Sequence, residues 1–409
     1  MTEAVEWKRG AAASKSSEDA RIMADTKNKD GKKYKARKKC RNYHGRMIEP
    51  LDVMTEGSVK KFIDDVFGAS GYNARRLGEA CDIYRRMAES GATIALTLAG
   101  AMTPIGMNGP IIELMKRGLV DVIISTGANL YHDFHRAFNF PVIQGSPHVD
   151  DALLNKRGIA RIYDTYIMDD DTLLPTDAMI VDASFEHKFK GPVSSASLHK
   201  LLGEKVLRDA PFPEKSLVAQ AVRYGVPIYT SSPGDSSIAM NMILPYFMGK
   251  RIVVDPVMDV VETTAIVRQG KKNGVVIVGG GSPKNFYLQT QPTLWQILKD
   301  DIGGHDYFIQ LTTDTPQWGG LSGATPQEAK SWGKVKGHTV NQTVVYSCAS
   351  ITFPLLSRYV MESVGEKPLK RLLDKREALA AELKRNALAN PELKKLYGKK
   401  ATKNSKQKK

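Results

Sequence analysis

From Met47 to Val364 the chain alternates short apolar runs with amphipathic stretches and turns rich in Gly, Ser and Asp. ATIALTLAG (92–100) is an apolar run closed by a glycine turn, which predicts a buried strand. GPIIELMKRGL (109–119) has helical spacing and predicts a helix ended near Gly118. VDVIISTGAN (120–129) predicts a second strand and its turn. The same form recurs in VPIYTSSPGDSS (226–237), GVVIVGGGSPKN (274–285), DYFIQLTTDT (306–315) and TVVYSCAS (343–350). Continuous apolar strands interleaved with helices predict an α/β fold, a parallel sheet covered by helices on both faces. Such sheets bind ligands just beyond the carboxyl ends of their strands. The polar turns all fall at those ends. No internal repeat is evident.

Two further segments have a readable local form. Leu372, Leu379, Leu383 and Leu388 stand near helical spacing in residues 368–396, opposite a charged face. This predicts a helix packed on the body or on another subunit. In TPQEAKSWGKVKG (325–337), Thr325, Pro326 and Glu328 fit the N-cap, N1 and N3 positions of a helix. Gly333 would end that helix, Glu328 and Trp332 would share its face, and Lys334 would project just past it.

Charge changes the picture of the ends. The 409 residues carry a formal net charge of +15, which first suggests a nucleic-acid partner. Residues 1–46 hold net +8 and residues 366–409 net +10, which leaves residues 47–365 at −3. The basicity is in the tails. KNKDGKKYKARKKCR and GKKATKNSKQKK are too polar to offset their ordering entropy and read as disordered. They are solubilising, or they make weak electrostatic contact with RNA or anionic surfaces. The predicted organisation is a basic extension (1–46), a globular body (47–365), and an amphipathic helix with a basic tail (366–409). Cys40, Cys81 and Cys348 have no C-x-x-C spacing, so neither a disulfide framework nor a metal site is expected. Free thiols fit a cytoplasmic protein. No apolar run reaches membrane-spanning length.

The chemistry begins with the turns. Three consecutive glycines follow the strand in VVIVGGGSPKN, where a backbone can approach a phosphate closely. ISTGAN is a similar turn, and Asp235 in GDSS is placed to accept from ribose hydroxyls. None matches the G-x-G-x-x-G fingerprint. Together they predict a nucleotide site. Lys334 reads two ways from local chemistry. It is a solvated lysine after a capped helix, or a nucleophile beside an aromatic wall, partly desolvated so that its amine is free to attack an imine or carbonyl.

GPIIELMKRGLVDVIISTGAN, GDSS, GGGSPKN, SGATPQEAKSWGKV and ASITFPLL stand in the order and spacing of the deoxyhypusine synthase family. The resemblance covers about residues 57 to 362, and the SGA-x-P-x-EA-x-SWGK block is its most specific part. It implies a Rossmann-like fold, bound NAD, a homotetramer and transfer of an aminobutyl group from spermidine through a lysine imine. The lysine matching the nucleophile is Lys334. By position, Trp332 would line the amine channel and Glu328 would bind an ammonium end. Gly280 and Gly281 would stand beside that channel. Gly100, Ala101, Met102, Thr103, Pro104, Thr126, Gly127, Ala128, Asp235, Thr313, Asp314 and Ala349 fall where the family contacts NAD.

The chain also departs from the family's eukaryotic pattern. Met240 and Leu321 replace aspartates, Asn285 replaces a histidine, His132 replaces a glutamate, and Cys348 replaces an aspartate that contacts NAD. Two carboxylates for a polyamine's ammonium ends are therefore missing. Asn285 can orient an amine but cannot titrate as a histidine does. His132 is an amine contact, a proton shuttle or a structural histidine. The pattern resembles the prokaryotic deoxyhypusine synthase-like branch, which is similar to homospermidine synthases. That implies a small diamine acceptor such as putrescine, the alternative being the lysine of the hypusine-bearing translation factor. A non-catalytic NAD- or RNA-binding protein is the reading from a different class.

Overall fold

The computed structural model describes residues 48–397, apart from Thr55, His338 and the side chain of Thr339. The predicted disordered extension 1–46 and the basic tail lie outside the described residues, as does Cys40.

Six parallel strands form the central sheet. They are β1 (Thr93–Leu98), β2 (Val122–Ser125), β6 (Ile228–Thr230), β7 (Asn273–Val278), β8 (Tyr307–Thr312) and β9 (Gln342–Tyr346). Each coincides with one of the apolar runs read from the sequence, β7 and β9 starting one residue before theirs. The order is β6-β2-β1-β7-β8-β9. A second, antiparallel sheet has the order β3-β5-β4, from β3 (Val142–Gln144), β4 (Ile159–Ile162) and β5 (Thr165–Met168). It was not foreseen. Its strands have three or four residues, and β3 and β4 are only partly covered, so no apolar run marks them.

Parallel neighbours need crossover connections, and helices supply them. Alternation along each strand feeds two cores. Ile94, Leu96 and Leu98 of β1 face one side with Val276 and Val278 of β7. That side is covered by α1 (Tyr72–Glu89), α2 (Asn108–Lys116), α3 (Gly127–Ala137), α4 (Leu174–Glu186), α5 (Ser195–Asp209) and α6 (Leu217–Tyr224). Ala95, Val275, Ile277 and Phe308 face the other. That side is covered by α7 (Pro256–Gln269), α8 (Gly281–Leu288) and α9 (Pro326–Ser331). α10 (Ala349–Ser363) closes the first face, and α11 (Leu372–Ala389) closes the second.

α11 settles where the C-terminal amphipathic segment packs. Leu372 and Leu383 are buried in the second core, with Leu379 partly buried against it. Arg376, 6% exposed, lies 3.3 Å from Glu262, which is 4% exposed, on α7. Lys370 donates to Asp121 at 2.9 Å beneath the amino end of β2. The folded body therefore continues well past residue 365.

The chain runs outward from β1 through β2 to β6, then returns beside β1 as β7 and runs the other way to β9. The direction reverses between β1 and β7. A crevice outside the carboxyl ends is expected at such a reversal. The turns after those two strands abut: a Cβ at Gly279 would lie 3.4 Å from the Ala99 Cβ, and Gly279 has φ +75°.

Candidate active site

The carboxyl edge gathers the turns that were predicted to hold a cofactor. Gly100 to Pro104 follow β1, Thr126 to Ala128 follow β2, Asp235 follows β6, Thr313 and Asp314 follow β8, and Ala349 opens α10 after β9. Thr126 is the N-cap of α3, its side chain accepting from the Asn129 N–H. Gly127 is required by close packing, since a Cβ there would sit 2.3 Å from the Ser236 Cβ. This seats the Asp235–Ser236 turn on the start of α3.

Asn129 was not recognised as a site residue, although it ends the quoted ISTGAN. It is 1% exposed. Its Oδ1 accepts from Met102 N at 3.0 Å and Thr103 N at 3.2 Å, and its Nδ2 donates to Gly100 O at 2.6 Å. One amide thus ties the turn after β1 to the helix after β2. Arg136, one end of the same helix, donates to Thr103 O at 2.7 Å and to Pro104 O. A glycine turn, a helix N-terminus and the exposed carboxylates Asp235 and Asp314 fit a dinucleotide. Backbone N–H groups suit the phosphates and carboxylates suit ribose hydroxyls.

Lys334 is placed differently. Residues 320–325 come down from the carboxyl edge and enter α9, capped by the Thr325 side chain accepting from Glu328 N. The helix ends as the sequence predicts. Gly333 N donates to Lys330 O at 2.9 Å and Lys334 N to Ala329 O at 3.0 Å, with Gly333 at φ +66°. This is a glycine-closed Schellman end. The Lys334 carbonyl then accepts from His305 N at 3.0 Å, beside the amino end of β8. The nucleophile candidate therefore lies on the flank of the second helical layer, not at the strand ends.

Its side chain reaches α8. Lys334 Nζ donates to Asn285 Oδ1 at 3.0 Å and lies 5.6 Å from the centre of the Trp332 ring. Burial holds its pKa below the ordinary lysine range, and the Glu328 carboxylate opposes that shift. Trp332 is 60% exposed. Trp295 donates from Nε1 to the Trp332 carbonyl at 3.3 Å, which closes the other side. A cavity of about 450 Å³ opens beside Asn285, lined by Ser282, Phe286, Gln289, Thr293, Gln296 and Leu321 among others. No carboxylate lines it. Met240 and Leu321 are largely exposed.

Gly280 and Gly281 are joined to this site by Ser322. A Cβ at Gly280 would lie 2.6 Å from the Ser322 Cα, and Gly281 N donates to Ser322 Oγ at 2.9 Å. Lys284 lies beneath them and was missed. It is 3% exposed, and its Nζ donates to Gln310 Oε1 at 2.9 Å, Ala324 O at 2.6 Å and Ser322 O at 3.3 Å. Burial pulls its pKa down to about 8, with Lys334 adding to the shift and Glu328 and Asp314 opposing it. In GSPKN nothing local separates it from a surface lysine.

The structure does not join His132 to Lys334. Its Nδ1 is 2.9 Å from His135 Nε2 on the same helix.

Residues 62–360 match the deoxyhypusine synthase family model. The chain is 44% identical over 355 residues to the deoxyhypusine synthase-like protein of Nostoc punctiforme, covering 84% of this chain and 90% of that protein. It is 38% identical over 294 residues to the probable deoxyhypusine synthase 2 of Archaeoglobus fulgidus, covering 70% and 93%. A solved structure assigned to a deoxyhypusine synthase of Entamoeba histolytica shares the fold, with TM-score 0.51 at 16% identity, covering 79% of this chain and 99% of that one. The Rossmann-like α/β sheet and the SWGK block thus have one common explanation: the chain belongs to the deoxyhypusine synthase family.

Proposed function

We propose that this protein is an NAD-dependent aminobutyl transferase in which Lys334 carries the transferred group as an imine. The observation that supports it most is the Lys334 environment: a half-buried amine with a lowered pKa, held by one neutral acceptor and faced by an indole. A free amine is the attacking form, and partial desolvation favours it.

NAD, when bound at the carboxyl edge, supplies the oxidation of the donor amine to an imine and the final reduction, so the net reaction is redox-neutral. Lys334 Nζ adds to the C=N carbon of the oxidised spermidine. The C–N bond to 1,3-diaminopropane breaks and that amine departs with a proton. Lys334 is left as the imine of the aminobutyl chain. An acceptor amine adds to the same carbon and Lys334 leaves as the free amine. Asn285 orients Nζ throughout, and Trp332 offers its face to the cationic chain.

The acceptor we infer is a small diamine such as putrescine. The neutral cavity beside Asn285 and the apolar Met240 and Leu321 support an amine site unlike that of protein-modifying members. Exposed Ile243, Leu244, Phe247 and Met248 support burial of this face against a second copy, in keeping with a homotetramer. Among the described residues no helix is long and apolar enough to cross a membrane.

The test is product analysis by mass spectrometry with NAD and putrescine, alone or with spermidine as donor. Homospermidine formed without any protein acceptor is expected from the wild type. Lys334→Ala should form no borohydride-trapped adduct and no product. Turnover by that variant would refute the lysine mechanism. Transfer only when the translation factor is added would move the reading to deoxyhypusine synthesis.

A further inference from the structure

α3 presents one open stripe. Ala128 is exposed and His132 and Arg136 are partly exposed at i, i+4 and i+8, while Asn129, Leu130, Asp133, Phe134 and Ala137 are buried. The stripe starts at the cofactor edge and ends at Arg136, which lines a cavity of about 500 Å³ with Pro104 and Ile105. His132 is the middle residue of that stripe. Behind it runs a chain of hydrogen bonds that the mechanism does not use.

The chain has a direction. Thr176 Oγ1 lies 2.8 Å from Thr172 O, and a carbonyl has no proton, so the Thr176 hydroxyl proton is committed there. His135 Nδ1, 2.8 Å from Thr176 Oγ1, must therefore carry its own proton and donate. Burial pushes the pKa values of His132 and His135 down to about 4 and about 3, with Arg136 adding to both shifts. Asp177, the nearby acid, accepts from Tyr131 and Asn241 rather than from either imidazole. Each ring thus has one N–H. His135 Nε2 is then an acceptor, and His132 Nδ1 must donate to it across 2.9 Å. That leaves His132 Nε2 with a lone pair and no hydrogen-bond partner among the described residues.

We propose that Thr172, Thr176 and His135 are positioning residues that hold His132 as its Nδ1–H tautomer, leaving Nε2 as a fixed, uncharged acceptor for an N–H or O–H of the ligand seated along the Ala128–His132–Arg136 stripe. The ligand half rests on the NAD reading above; the tautomer does not. A glutamate at 132 would also accept, but with a full charge. The relay supplies an acceptor of defined direction and no charge, which suits an amide or hydroxyl better than an ammonium.

The test uses the full chain and two readouts. Long-range ¹⁵N–¹H correlation on histidine-labelled protein is expected to show His132 protonated on Nδ1 and bare on Nε2. The opposite tautomer would overturn the proposal, whatever the protein binds. Thr176→Val keeps the side-chain volume but releases His135, and should weaken NAD binding about three- to ten-fold by titration, the loss of one oriented hydrogen bond. Thr176→Ser restores the hydroxyl and should restore affinity. Equal affinity in wild type and Thr176→Val, with both variants folded, would overturn the ligand role. A wild type with no affinity for NAD would overturn both the cofactor reading and that role, and would leave the tautomer to be judged by its own spectrum.

Discussion

Two lysines stand on either side of Asn285, and their surroundings differ in kind. Lys284 is buried and donates all three ammonium protons to Gln310, Ser322 and Ala324. Lys334 is half-buried and has a single neutral partner. Both have lowered pKa values, and burial is the main cause in both. A depressed pKa therefore does not by itself mark the nucleophile. What separates the two is saturation. An amine whose three protons each hold a carbonyl has no freedom to turn a lone pair toward substrate. Lys334 is held by Asn285 alone, and Asn285 itself lines the open cavity. Lys284 fixes the 322–324 segment that leads into α9, and Lys334 is what that helix delivers.

The largest effect expected from this contrast is chemical. Lys334→Met should abolish the borohydride-trapped adduct while the thermal midpoint hardly moves, because one neutral hydrogen bond is lost at a half-open position. Lys284→Met should still carry an adduct on Lys334 but lose stability, because three buried acceptors are left without a donor. Peptide mass spectrometry and thermal unfolding of the two variants decide it. An adduct on Lys284 would reverse the assignment.

The second effect is on pH. The folded Lys284 pKa, about 8, lies below its ordinary 10.5. Between those values the unfolded chain holds the proton that the folded chain has lost, so stability rises with pH across that window. The gain is roughly 3 kcal/mol at most. Lys284→Met lacks it. Denaturant titrations at pH values on both sides of the window should show the wild type gaining on the variant as pH rises. Parallel curves would mean that Lys284 titrates like a free lysine.

A third, smaller effect concerns delivery. Gly333 at φ +66° closes α9, and a Cβ there would lie 2.9 Å from Trp295 Nε1. Gly333→Ala should cost about 1–2 kcal/mol from the left-handed backbone alone. It should also lower the adduct yield, because the indole that braces the Trp332 carbonyl is displaced. Unchanged yield would show that Lys334 does not depend on this closure.

These contrasts also mark what could be read from the chain. The helix carrying Lys334 was legible because its start and stop are local: Thr325, Pro326 and Glu328 at one end, Gly333 at the other. The six strands were legible because each is an apolar or β-branched run, buried throughout in all but the edge strand β9. The roles of Lys284, Asn129 and His135 were not. Each depends on partners far along the chain, such as Gln310 for Lys284, Gly100 for Asn129 and Thr176 for His135. The position of Lys334 beside His305 was hidden for the same reason. Strands β3 to β5 escaped because short strands carrying residues such as Arg161 have no apolar signature.

The smallest expected effect is the most discriminating. Glu328 is exposed, and its carboxylate raises the Lys334 pKa against burial. Glu328→Gln removes the charge and keeps the shape. The Lys334 pKa should then fall further, so more of it is free amine at neutral pH. Labelling by a neutral aldehyde with cyanoborohydride should speed up about two- to five-fold, in line with an exposed charge pair. Binding of a cationic polyamine should weaken, because the carboxylate whose charge acts on Lys334 would also attract an ammonium end. Opposite signs in the two readouts would identify one carboxylate serving both the nucleophile and the substrate. A Glu328 whose charge does not reach Lys334 would change neither, and the Lys334 pKa would then be set by burial with no opposing charge.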